Sequence, residues 1–134
     1  MYEYISNNEC MSVYDFTTDI LHLTPEEAYF YALISRYGYC NKDYNTLAIQ
    51  NNLKDRKKIG RIFDKLLEKE VVTRRTVYIT PTQIRYVYTI LYSPDGAIDM
   101  RIVNSRLDKG EENLKEFYKK HNYYKAKKMR ENKL

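Results

Sequence analysis

Apolar positions fall into strict helical register in the middle of the chain, where Ile59, Ile62, Phe63, Leu66 and Leu67 recur at i, i+3, i+4, i+7 and i+8. This spacing predicts a helix over 55–69, with the Asp55 carboxylate as its N-terminal cap. Lys57, Lys58, Arg61 and Lys65 fall on the other side of the same helix, mostly toward its N-terminal half. A first helix is expected further upstream. Thr24 and Glu27 have capping-box spacing, Pro25 sits at the first helical position, and Gly38 closes the run. Because 28–37 is apolar nearly all round, burial on more than one side is expected. Asn41 to Asp43 connects to a short second helix, capped by Asp43 or Asn45 and ending near Asn51, with Leu47 and Ala48 inward. Asn52-Leu53-Lys54 makes the turn into the basic helix.

Beyond residue 70 the pattern shortens. Residues 71–79 and 83–92 are rich in Val, Thr, Tyr and Ile, with Thr80-Pro81-Thr82 between them, and together they predict a hairpin with proline confined to the turn. Arg74, Arg75 and Arg85 lie on its strands. Ser93-Pro94-Asp95-Gly96 is a turn. Residues 97–107 fit either a strand or a helix. A last helix is expected from Glu111, with Leu114, Phe117, Tyr118 and His121 as its apolar stripe. Lys125, Lys127, Lys128, Arg130 and Lys133 then form a basic tail, in which disorder is expected before any partner binds. At the other end, the first 14 residues lack periodicity, and 15–23 fits a short strand or an extended approach. The layout expected is an arm or edge strand over 1–23, a domain over 24–92, an extension with a packing or dimerisation helix over 93–124, and the tail over 125–134. The fold class is α+β and mainly helical.

Charge separates along the chain. The six acidic residues before Arg36 face no Lys or Arg, which leaves the other twelve against all 23 basic residues, a local surplus of eleven. Such a division favours a polyanion on the side built from the middle and C-terminal parts. Cys10 and Cys40 lack CxxC spacing and fit reduced thiols in a cytoplasmic protein; His22 and His121 stand apart without ligand-spaced neighbours. No metal or other cofactor is expected. Neither a signal peptide nor a membrane span is apparent. No Gly-rich phosphate loop and no Ser/His/Asp or Cys/His grouping is present, so the chain is not expected to be an enzyme.

The string LAIQNNLKDRKKIGRIFDKLLEKEVV resembles the helix-turn-helix half of winged-helix DNA-binding proteins of bacteria, phages and plasmids. Leu47-Ala48, Leu53, Ile59, Phe63, Leu66 and Val71-Val72 carry the likeness, which extends over 24–92. Three features depart from that pattern: Asn52 stands where Gly is usual, the turn is one residue longer with Asp55 as cap, and Glu70 replaces the Gly before the first strand. The resemblance implies a winged helix-turn-helix with a two-stranded wing that binds double-stranded DNA; a homodimer is expected because the apolar first helix and the striped last helix offer more apolar surface than one small domain hides. The resemblance also implies a role in transcriptional control, or in replication or partition of a mobile element. Lys57, Lys58 and Arg61 are then expected to approach the major groove, while Lys54, Arg56, Lys65, Arg74, Arg75 and Arg85 clamp phosphates. The alternative is a structural winged-helix module that docks an acidic protein partner.

Overall fold

The computed structural model describes residues 16–132, with side chains through Asn122 except at Thr18. The arm expected over the first 15 residues and the side chains of the basic tail lie outside the described residues. The chain enters through a π-helical turn at Phe16–Ile20, where a strand or extended approach was expected. Phe16 and Leu23 are drawn into the core, which favours this compact entry over an edge strand. Helix α1 (Pro25–Tyr37) follows, then α2 (Tyr44–Gln50), α3 (Arg56–Glu68), the antiparallel strands β1 (Val72–Tyr78) and β2 (Ile84–Ile90), a small β3–β4 ladder (Tyr92–Ser93 with Gly96–Ala97), and helix α4 (Met100–Asn132).

Each of the first three helices begins on the residue chemistry that the sequence supplies. The Thr24 hydroxyl accepts from the Glu27 N–H at 3.3 Å, and the Glu27 carboxylate accepts from the Thr24 N–H at 3.0 Å, completing the capping box. Asp43 caps α2 through the Thr46 N–H at 2.6 Å, and Asp55 caps α3 through the Lys57 N–H at 2.8 Å. The bends on either side of α3 fall on Asn52 and Glu70, with φ of 55° and 59°. Both are left-handed positions where glycine is the easy choice. Two of the three departures, Asn52 and Glu70, thus place residues bearing side chains at left-handed positions.

Phe63 sits at the centre of the main core. Its ring lies 4.5 Å from Tyr88, 5.6 Å from Phe30 and 5.8 Å from Tyr44, joining β2, α1 and α2 around α3. Ile34, Leu47, Ile59, Leu66, Val72 and Ile90 complete the layer. Helix α1 buries Phe30, Tyr31 and Ile34, while Tyr29 and Tyr37 stay exposed, so it is covered on one side rather than several. The Tyr31 hydroxyl donates to the Tyr92 carbonyl and ties α1 to the strand beyond the hairpin.

The hairpin has a second buried face. Val77 and Val87 pack against Val103, Leu107 and Leu114 of α4. Helix α4 is a single run of 33 residues, where a strand-or-helix segment and a separate later helix were expected. Gly110 does not interrupt it, because a Cβ there would lie 2.4 Å from Cγ1 of Val87 and 3.0 Å from the Tyr39 ring. The glycine is required by helix-to-sheet packing, and the helix continues through it. The run also crosses the boundary expected at 124, with a backbone that is helical to Asn132.

Candidate nucleic-acid interface

Helix α3 presents a polar surface of two halves. The apolar stripe fixes its inward side, with Ile59, Ile62, Phe63 and Leu66 all buried. Lys57, Arg61, Asp64 and Glu68 consequently point outward, with the cations on the N-terminal turns and the acids on the C-terminal ones. Lys54 and Arg56, from the preceding turn and the first helical position, are exposed beside them. Lys54, Arg56 and Lys57 have no acidic partner among the described residues. Arg61 reaches Asp55 only at 3.8 Å, with its side chain 70% exposed. The positive end of the helix dipole adds to this group.

The other expected contacts are otherwise engaged. The Lys58 ammonium lies 2.9 Å from Glu26 and ties α3 to α1. Lys65 pairs with Glu68 at 3.0 Å, and that carboxylate raises its pKa. On the hairpin, strand alternation separates the arginines. Arg75 and Arg85 share the face of Val77 and Val87 and point to α4. Arg75 donates to Asp108 at 2.5 Å and lies 3.9 Å from Glu111, while Arg85 Nε donates to the Tyr118 hydroxyl at 2.7 Å. Arg74 takes the opposite face, 4.3 Å over the ring of Tyr86. Burial lowers the Arg74 pKa, but the neighbouring Tyr88, Tyr86 and Tyr44 hydroxyls together outweigh it and the value is raised. The structure thus gathers Lys54, Arg56, Lys57 and Arg61 into one exposed group, and leaves Arg74 exposed on the sheet.

A tyrosine pair missed in the sequence underlies that sheet face. The Tyr44 and Tyr88 hydroxyls are 2.5 Å apart, and burial, then the Tyr44 hydroxyl, drives the Tyr88 pKa well above the usual phenol range. The pair therefore holds α2 to β2 as neutral phenols. Sequence gave no signal for it, because Tyr44 and Tyr88 are two of fifteen tyrosines on elements distant in the chain. Gly60 faces Tyr44 as well: a Cβ there would meet the ring at 3.4 Å, an ordinary contact.

The Glu27 carboxylate, 5% exposed, is held by the Lys69 ammonium at 2.5 Å. Burial raises its pKa, but the hydrogen bonds from Lys69 and the Thr24 N–H outweigh it, and the net shift is downward. Burial pushes the Cys40 thiol up, which makes it a poor nucleophile. Among the described residues no group of three or more His, Cys, Asp or Glu is placed to hold a metal ion, and no helix is long and apolar enough to cross a membrane.

No protein-family model matches the chain, and no curated protein matches it at a significant level. Among solved structures it is similar to a possible transcriptional regulator from Methanosarcina mazei Go1, with a TM-score of 0.49 and 20% sequence identity over 88% of this chain and 95% of that one. A likeness of that degree assigns this chain neither a family nor a function.

Proposed function

We propose that the chain binds double-stranded DNA as a winged helix-turn-helix and acts in transcriptional regulation, with α3 as its recognition helix and the β1–β2 hairpin as its wing. The carrying observation is the group formed by Lys54, Arg56, Lys57 and Arg61, exposed and lightly paired at the N-terminal end of a helix whose opposite side is buried. A recognition helix enters the major groove with its N-terminal residues foremost, and this is the half of α3 free of carboxylates on its outward face. Lys57 and Arg61 meet base edges in this reading, and Lys54, Arg56 and Arg74 meet phosphates. Lys58, Lys65, Arg75 and Arg85 chiefly hold the scaffold that aims them. A homodimer reading two half-sites belongs to the same proposal, supported by Tyr29, Tyr37 and Ile49, which are 52%, 65% and 68% exposed on α1 and α2.

The test is a salt titration of binding to fragments selected from the genome that encodes the protein. Phosphate neutralisation gives a linear fall of log affinity with log salt, at about −0.9 per contact. A protein with this interface shows a slope of several units, together with a preferred site. A flat salt response, or equal affinity for every duplex, defeats the reading.

A further inference from the structure

Helix α4 outruns the domain that it packs against. Its direction follows from its contacts with the hairpin. Arg75, bound to Asp108, is the ladder partner of Val87, which abuts Gly110. Arg85, bound to Tyr118, lies two residues nearer the turn on β2. Between Asp108 and Tyr118 the helix therefore travels from mid-sheet toward the hairpin's turn. Beyond Tyr118 it continues to Asn132, roughly 14 residues or about 21 Å further.

That overhang has a distinct chemistry. Lys119, Lys120, Lys125, Lys127, Lys128 and Arg130 are opposed only by Glu131. Lys119 and Lys120 are exposed, as are His121 and Asn122. The neighbouring hairpin end, from Val77 to Ile84, has no charged residue, and the nearest arginine, Arg85, is turned into α4. Exposed Lys42, which donates to Gln50, lies beside Ile84 and Arg85; among the described residues the remaining positive charge at this end is that of the helix. A second copy laid along the overhang would set cation against cation, whereas a row of phosphates complements it.

We propose that α4 past Tyr118 is a rigid basic prong that contacts duplex phosphates beyond the wing, lengthening the footprint set by α3. This rests on the DNA-binding reading above. The packed half of the helix, anchored through Val103, Leu107 and Leu114, supplies the nucleus that an isolated segment of this length lacks. The prong and the wing then move as one body, and a helical backbone, not a loose arm, carries the basic residues past the wing.

Asn122→Pro in the full chain tests this, because it keeps every charge and breaks the helix just past its last packed turn. Asn122→Ala is the matched control that keeps the helix. Affinity, salt slope and nuclease footprint are measured on duplexes extending well past the preferred site. The proline variant is expected to bind about tenfold more weakly, with a flatter slope and a shorter footprint, while the alanine variant matches wild type. Truncation after Asn122, which removes the distal charges without straining the packed turns, is expected to lose at least as much. A proline variant that binds like wild type overturns the prong, since the charges would then act as a flexible arm. Loss of self-association in either variant also overturns it, by making the overhang a contact between copies. Wild-type protein without salt-sensitive duplex binding defeats the DNA-binding reading itself, and the prong with it.

Discussion

A Cβ on Gly110 would stand 2.4 Å from Cγ1 of Val87, closer than any side chain can approach, whereas one on Gly60 would meet only the edge of the Tyr44 ring at 3.4 Å. The two helical glycines therefore have opposite expected responses. Gly60→Ala should stabilise the protein by up to about 1 kcal/mol, the usual difference in helix propensity. Gly110→Ala gains the same propensity but must displace a fully buried β-branched side chain, and should destabilise by about 1–3 kcal/mol. Urea unfolding of both variants checks the pair, and equal responses would contradict the packing described for α4.

Phe63→Ala removes the ring shared by Phe30, Tyr44 and Tyr88. A loss of about 3–5 kcal/mol is expected, a large share of the stability usual for a small domain. Circular dichroism melting measures it, and a loss under 1 kcal/mol would mean that α3 is not the centre of the core.

The arginines of α3 and β1 should separate by readout. Lys57→Ala with Arg61→Ala should cost several kcal/mol of binding and relax the preference for the selected site, by ordinary magnitudes for base-edge contacts, with the melting midpoint nearly unchanged. Arg75→Gln should leave that preference alone and lower stability by about 1 kcal/mol, since its partners Asp108 and Glu111 lie on the same chain. The reverse pattern would exchange the roles given to α3 and the strand.

Acid should weaken the α1–α3 junction through Glu27. Its folded pKa lies below the unfolded value, so the stabilisation is fully present above the unfolded carboxylate pKa of about 4.3 and is lost as pH falls through the lower folded value. Glu27→Gln keeps the Thr24 contact without the charge and should cost about 1–2 kcal/mol at neutral pH. The difference between wild type and variant should shrink toward zero as pH drops below 4.3, by the same linkage. A difference that holds constant with pH would remove the ion pair with Lys69 from the account.

Sedimentation tests the assembly. A two-fold dimer at micromolar concentration, weakened by Tyr37→Ala or Ile49→Ala, is the expected result, with half-sites about one helical turn or a multiple of it apart. Protein that stays monomeric both free and on DNA would leave the exposed α1 and α2 residues unexplained.

What was legible in the sequence was local. The capping box at Thr24 and the stripe on α3 depend on residues within a turn or two of one another, and both stand as expected. Asp55 as cap and Asn52 as left-handed turn residue follow from side-chain chemistry alone. Helix α4 was hidden because its glycine answers to Val87 and Tyr39, far away in the chain, while Glu111 and Glu112 imitate a helix start. Phe117, counted in the apolar stripe, is 60% exposed, since the sheet meets Leu114 and Tyr118 on the adjacent rows. The separation of Arg74 from Arg75 and Arg85 was within reach, because alternation along a strand puts Arg75 and Arg85 with the two buried valines. That α4, rather than solvent, covers this face is a tertiary fact with no local signal.

Helix α3 hangs between two bends, at Asn52 and Glu70, where residues bearing side chains hold a left-handed backbone. Each bend carries a strain of about 1 kcal/mol that glycine would relieve, less for asparagine than for glutamate. Glycine would also widen the range of angles open to the backbone there. The aim of the helix and the melting temperature of the protein are therefore separable properties. A Glu70→Gly chain can melt later and still hold α3 less steadily, so heat tolerance in this molecule is no measure of how well its basic helix is pointed.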